Sequence, residues 1–282
     1  MPKKNEADII SIPINEFTMG QIEVAIIGVS PFVCNRVAEK AMQQLLYPSR
    51  KKNAAEKNTT FKHNPMSEYR SSPYTTSRED APTVIEMPAV SFKRAMESVA
   101  LDVPGTTKSQ LSRNLVAIDQ RVPLFGVPQL FMSVVRSADQ AKTPDIRTRA
   151  IIPQWATTVR IRFPEPLFVE KTVVHLLGLA GLFRGVGDYR PEKGAGSYGQ
   201  FEICAPDDPR YLDIVHNGGR AAQLQALHNP SFFDDQTETL FAWFEEERGR
   251  RGTTVPVTPP AVRGPVVPKR KNGRLEVAHD AE

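Results

Sequence analysis

Apolar and polar positions alternate from Gln21 to Gly28, with Ile22, Val24 and Ile26 on one side and Glu23 on the other, which predicts a β-strand. The strand ends in Gly-Val-Ser-Pro, a turn in which Pro31 fixes φ. Arg36–Leu46 then predicts a short amphipathic helix with Val37, Met42, Leu45 and Leu46 as its apolar positions. Order returns at Thr83–Met87, after which Pro88 opens a helix over Val90–Leu101 with Lys93, Arg94 and Glu97 on its wet side. Leu115–Phe125 and Gln129–Arg136 read as strands parted by Gly126 and Pro128, and Arg147 and Arg149 alternate with their neighbours on an extended run to Ile152. The clearest alternation is Trp155–Phe163. Trp155, Thr157, Val159, Ile161 and Phe163 share one face, while Ala156, Thr158, Arg160 and Arg162 share the other. Two arginines on one strand face are costly to bury, so that face is wet or meets a ligand.

Glu170–Arg184 is the longest apolar helix, and His175, Gly178, Gly181 and Gly185 recur on it every three or four residues. That stripe of small residues lets another backbone approach, and a lone histidine on it is expected to pack in the core. A final strand spans Gln200–Cys204, and helical pieces follow, ending with Gln236–Arg250 and its apolar Leu240, Phe241, Trp243 and Phe244. Between helix and strand lies a glycine-rich segment. Six of the chain's 17 glycines fall between Gly181 and Gly199, a density that marks a shaped loop rather than slack. It is either a helix cap with a long connection or a binding surface. Arg190 and Lys193 interleaved with Tyr189 and Tyr198 suit a polyanion with flat bases.

Polar stretches divide the chain. Residues 1–18 form an arm, 19–205 the core, 206–250 a helical extension and 251–282 a tail expected to be disordered alone. Inside the core, residues 47–82 make a polar, proline-punctuated insertion without an apolar period. Its cations are Arg50, Lys51, Lys52, Lys57, Lys62, Arg70 and Arg78, with Phe61, Tyr69 and Tyr74 between them. A solvated insertion and a nucleic-acid-gripping loop both fit.

The order is strand, helix with insertion, central strands, long helix, glycine loop and final strand. It predicts an α+β, ferredoxin-like or RRM-like split βαβ core with a large insertion and a C-terminal extension. A net charge of +4 and a sequence pI near 9.0 are modest, so the placement of cations matters more than their number. Cys34 and Cys204 lie far apart without metal-ligand spacing and suit a reducing compartment, and no apolar run reaches membrane length, so a cytoplasmic protein is expected. Catalytic motifs are missing. Arg190 stands where a dinucleotide fingerprint needs glycine, no phosphate loop or HExxH occurs, and Asp207–Asp208 and Asp234–Asp235 sit in turns. No catalytic residue, metal or cofactor is expected. His63 is the one outside candidate for an enzymatic role.

IEVAIIGVSPFVCNR, MPAVSFKRAMESVA and GLFRGVGDYRPEKGAGSYGQFEI resemble hypothetical proteins of phages. In those, GxSPLLxxR, IPxxxFxxAL and GxGDWRPExxxxxGxF segments follow in that order, and Tyr189 stands where they carry Trp. The same layout, from Gln21 to Cys204, resembles the RAMP superfamily, the RRM-like backbone subunits of CRISPR effector complexes. That resemblance implies that Gly185, Gly187, Gly194, Gly196 and Gly199 shape a loop against a nucleic-acid backbone. Asp188 and Glu192 depart from the RAMP pattern, and an Asp188–Arg190 pair is expected to fix the loop instead. The residues are read as those of a non-enzymatic, sequence-tolerant binder of single-stranded RNA or DNA, and the resemblance implies a phage- or mobile-element-encoded protein. It would assemble along the strand as a homo-oligomer or as part of a larger nucleoprotein complex, away from membranes. Arg36, Lys51, Lys52, Arg147, Arg149, Arg160, Arg162, Arg190 and Lys193 would meet phosphates, and Tyr69, Tyr74, Tyr189 and Tyr198 would stack on bases. The alternatives are a self-assembling protein without nucleic acid, using the small-residue stripe and the last helix, and a RAMP-type RNA endonuclease.

Overall fold

The computed structural model describes residues 16–47, 61–136, 143–193 and 196–251. Expectations for the arm before residue 16, for Lys51, Lys52 and Gly194, and for the tail after residue 251 lie outside the described residues. The first half of the chain holds β1 (Thr18–Gly28), β2 (Phe32–Val33), α1 (Glu39–Leu46), α2 (Pro65–Ser71), β3 (Tyr74–Thr75), β4 (Ile85–Pro88), α3 (Val90–Val99) and α4 (Lys108–Asn114). Next come β5 (Val116–Ala117), β6 (Arg121–Pro123), β7 (Gln129–Arg136), β8 (Pro144–Ile152), β9 (Ala156–Glu165), α5 (Glu170–Phe183) and β10 (Phe201–Cys204). Three helices close the chain, α6 (Pro209–Asn217), α7 (Arg220–His228) and α8 (Asp235–Arg250).

The principal sheet has the order β10-β1-β9-β5, antiparallel throughout. Strand β9 lies between β1 and β5, whose crossover carries α3, and α5 carries the second crossover to β10. This is the ferredoxin-like plan, an α+β fold with antiparallel sheets. The alternation in β1 and β9 places Ile22, Val24, Ile26, Val159, Ile161 and Phe163 on the buried face. Helices α3 and α5 pack there with Phe92, Met96, Val173, Leu176 and Leu177, and the rings of Phe92 and Phe201 meet at 5.3 Å. A Cβ on Gly181 would overlap the carbonyl oxygen of Phe201, so the small-residue stripe is used inside the molecule, where α5 crosses β10. It is not a free assembly surface. His175, expected in the core, is exposed on the opposite side of α5.

Two further expectations change. Leu115–Phe125 is not one strand, because β5 joins the principal sheet and β6 joins a second one, β3-β4-β6. The insertion is also ordered in its second half. Asn64 caps α2 by accepting from the Ser67 N–H at 3.2 Å, and Pro65 occupies the first turn. Tyr69 on that helix is fully buried, and its hydroxyl donates to the carbonyls of Pro128 (3.2 Å) and Ala226 (3.1 Å). It is a core residue and cannot stack on bases.

The C-terminal helices are tied to this core. The buried carboxamide of Gln223 on α7 accepts from Val84 (2.8 Å) and Ile85 (2.9 Å) N–H. It donates to the carbonyls of Leu124 (2.7 Å), Gly126 (3.1 Å) and Gly218 (3.1 Å). Helix α6 lies across the outer face of the principal sheet, where the hydroxyls of Tyr211 and Thr158 sit 2.8 Å apart and Ala25 and Ile27 are buried. Replacing Gln223 by Met keeps the volume but strands four backbone groups, those of Val84, Ile85, Leu124 and Gly126, because the Gly218 carbonyl still accepts from the Gly126 N–H at 2.9 Å. Unpaired buried groups cost about 1–3 kcal/mol each, so chemical denaturation should show a loss of about 3 kcal/mol or more. A loss under about 0.5 kcal/mol would mean that this carboxamide does not tie the extension to the core.

Candidate functional site

A third sheet, β2-β8-β7, carries the densest group of the candidate residues. Its antiparallel register sets Phe131 opposite Arg149, Ser133 opposite Arg147 and Val135 opposite Asp145, and opposed residues project from the same face. Val33, Phe131 and Ile151 form an apolar patch on that face, and Tyr189, Tyr198 and Phe233 pack on it. The ring of Phe131 meets Phe233 at 5.5 Å, Tyr198 at 6.2 Å and Tyr189 at 6.4 Å, each edge to face. The hydroxyls of Tyr189 and Ser133 lie 3.0 Å apart. Burial, with Asp234 and Tyr189 nearby, raises the Tyr198 phenol above its ordinary value, so it stays neutral.

The glycine loop places both tyrosines. Gly185, Gly187 and Gly199 are buried at φ of +66°, +85° and +73°, a region that favours glycine. Tyr189 itself holds φ 52°, which costs an L-residue about 1–2 kcal/mol. Backbone bonds close the loop: Val186 donates to Gly199 (2.9 Å), Gly199 to Pro31 (2.8 Å), Asp188 to Val33 (3.0 Å) and Tyr198 to Tyr189 (3.2 Å). The loop is therefore a packed structure, not open backbone. A side chain on Gly196 would overlap the Tyr189 carbonyl.

The expected Asp188–Arg190 pair does not form. Arg190 donates to Glu192 (2.8 Å) and to the Gly187 carbonyl (2.9 Å), holding the loop from within. Burial works to raise the Glu192 carboxyl, but hydrogen bonds from Arg190 and Ser98 outweigh it and hold it below the usual carboxylate range. Asp188 instead accepts from the Tyr189 N–H at 3.1 Å and faces Arg149 at 3.8 Å. Arg149 also donates to the Arg36 carbonyl at 3.0 Å, which brings half-buried Arg36 beside it. Arg147, two residues along the same face, is exposed and has no side-chain partner among the described residues. Lys193 ends the short 3-10 turn Pro191–Lys193 and is also exposed.

The other candidates sit elsewhere. Arg160 and Arg162 lie on the outer face of the principal sheet, a separate surface. Arg160 grips the Asp119 carboxylate with two donors at 3.0 and 2.5 Å, whereas Arg162 is exposed and unpaired among the described residues. Tyr74 is on the β3-β4-β6 sheet, with the Arg121 guanidinium 5.1 Å above its ring.

One cluster escaped the sequence reading. At the Asp145 end of the same face, His63 sits 2.9 Å from Glu68 through Nδ1 and 2.9 Å from Asp145 through Nε2, and Lys62 joins Asp145 at 2.5 Å. Burial would raise the Asp145 carboxyl, but hydrogen bonds from Lys62 and His63 outweigh it and lower it. Both ring nitrogens of His63 are thus engaged by carboxylates within the protein. Phe131, Ser133 and Phe233 were missed as well, although alternation along β7 already sets the first two on one face.

Among the described residues no group of three or more His, Cys, Asp or Glu is placed to hold a metal ion, and no helix is long and apolar enough to cross a membrane. Both cysteines are free thiols, and burial pushes the Cys34 thiol up to about 12 despite Arg149 nearby.

No family model and no curated protein matches the chain. Among solved structures it is similar to the crystal structure of Cmr6 from Pyrococcus furiosus, at 9% identity and a TM-score of 0.34, over 66% of this chain and 98% of that one. So distant a likeness carries no argument about the site, and the ferredoxin-like class rests on strand order.

Gly199→Ala tests the loop. Its Cβ would overlap the Val186 carbonyl at a φ that disfavours side chains, so a stability loss of more than about 1 kcal/mol is expected by denaturation. An unchanged midpoint would mean that the loop is not closed in this way.

Proposed function

We propose that this protein binds single-stranded nucleic acid, without catalysis, across the outer face of the β2-β8-β7 sheet. One observation carries the reading: Arg147, exposed and unpaired among the described residues, shares a strand face with Arg149, which holds the Arg36 carbonyl, and that face also holds the rings of Tyr189 and Tyr198. Cations that track a backbone next to aromatic faces are what sequence-tolerant single-strand binding needs. The engaged ring of His63 supports a binding role over an endonuclease. Lys193 would extend the cationic rim, and Arg160 and Arg162 would form a second, weaker contact on the other sheet.

The test is fluorescence anisotropy with a labelled oligouridine. Arg147→Ala should weaken binding on all sequences alike and reduce the salt slope by about 0.7. Tyr198→Ala should cost about 1–3 kcal/mol of affinity by loss of stacking. Binding that ignores salt between about 50 and 300 mM would overturn the reading.

The same reading has copies assembling side by side along the strand, as a homo-oligomer or within a larger nucleoprotein complex. Leu45 at 84% and Trp243 at 63% exposure, on α1 and α8, offer apolar surface for neighbours. Light scattering should therefore show growth when oligonucleotide is added. A protein that is already large without it would favour self-assembly independent of nucleic acid.

A further inference from the structure

The binding face does not end at the aromatic cluster. Gln129 lies on β7 with the same parity as Phe131 and Ser133, and there it borders an open cleft of about 330 Å³. Apolar Val127, Pro153 and Ile214 line the cleft, and so do polar Gln129 on β7 and Asp213 and Asn217 on α6. Its volume suits one flat heterocycle. From Gln129 to Ser133 is roughly 14 Å along the strand, a span that a few nucleotides of an extended chain cover.

We propose that this cleft receives a guanine base of the strand held at Arg147, so that a sequence-tolerant face gains one base-reading position. The inference rests on the proposed nucleic-acid function. Its chemistry follows from the donor and acceptor inventory. The Asp213 carboxylate, when ionised, only accepts, and the Asn217 amide donates to its Oδ1 at 2.9 Å, which orients the carboxylate and leaves Oδ2 without a partner among the described residues. Guanine is the common base whose Watson–Crick edge sets two N–H groups side by side, N1–H and N2–H, both suited to a carboxylate. Its O6 can accept from the carboxamide of Asn217 or Gln129. Uracil presents one N–H between two carbonyls, and adenine and cytosine each put a ring acceptor beside their amino group, so each sets lone pairs against the carboxylate. The apolar walls take the faces of the ring, as single-stranded bases are held in protein clefts.

The experiment compares an oligouridine with the same strand carrying periodic guanines, on wild type, Asp213→Asn and Arg147→Ala. Asp213 is exposed on α6, so its replacement leaves the core intact. Wild type should bind the guanine strand about tenfold tighter. Asp213→Asn should erase that gain and leave oligouridine affinity unchanged, and Arg147→Ala should weaken both strands while keeping their ratio. Equal binding of the two strands by wild type, with the Arg147 effect intact, would overturn the guanine site alone. Failure to bind either strand would overturn the nucleic-acid reading, and the cleft proposal with it. A third arm adds guanosine monophosphate. Tight binding of the free nucleotide, without any gain for the guanine strand, would make this a nucleotide site and overturn the proposal as stated.

Discussion

Gly199 passes Val186 at a separation that only glycine permits. A side chain there would overlap the Val186 carbonyl, while the two residues share a backbone hydrogen bond at 2.9 Å and Gly199 reaches on to Pro31 at 2.8 Å. This crossing returns the chain to β10 and sets the shape of everything over the β2-β8-β7 sheet. It brings Tyr189 and Tyr198 together above Phe131, turns Asp188 toward Arg149, and leaves Arg190 to brace the loop through Glu192 and Gly187. The strain at Tyr189, with φ 52°, is offset by that packing and by the nearby Ser133 hydroxyl. Where a non-glycine residue is held in such a conformation, the surroundings over-determine it.

The face that an RRM-like sheet would use for stacking bases is occupied here in another way. Helix α6 covers part of it, Ala25, Ile27 and Thr158 replace aromatics, and Arg160 is clamped by Asp119. The aromatic and cationic groups gather on the smaller sheet instead. Helix α2, with buried Tyr69, packs against β8, and α8 packs against β7, so both strands are supported from neighbouring elements. Gln223 locks α7 to β4 and to the turn before β7. The proposed binding face is thus built on supported strands, and the loop adds side chains to it.

The core was legible because its signal is periodic. Alternation in β1 and β9 gave their buried faces, and the order of elements gave the split βαβ plan. What failed was decided by partners distant in sequence. Leu115–Phe125 alternates well enough to look continuous, yet its halves join different sheets. Tyr69 looked like one more aromatic in a polar insertion, and its burial depends on Pro128 and Ala226, 59 and 157 residues away. The Asn64-Pro65 helix start was a local signal, and it could have been read. The Lys62–His63–Glu68–Asp145 cluster spans more than 80 residues and left no trace in spacing.

The arginines show why charge alone does not locate a site. Arg147 and Arg149 share a strand and a face, but the loop covers one and not the other. Arg160 and Arg190 would each have to release a carboxylate before meeting a phosphate. Arg149 would release Asp188 and the Arg36 carbonyl as well. Arg147 has no partner among the described residues to give up. On the proposed reading its phosphate contact would keep the whole gain from counterion release, which the paired arginines would recover only in part. That difference is small for any one residue, but it orders them. On the proposed reading it places the strongest backbone contact on the smaller sheet, next to the tyrosines, and ranks the outer face of the principal sheet second, although Arg160 and Arg162 stand there as Arg147 and Arg149 stand here.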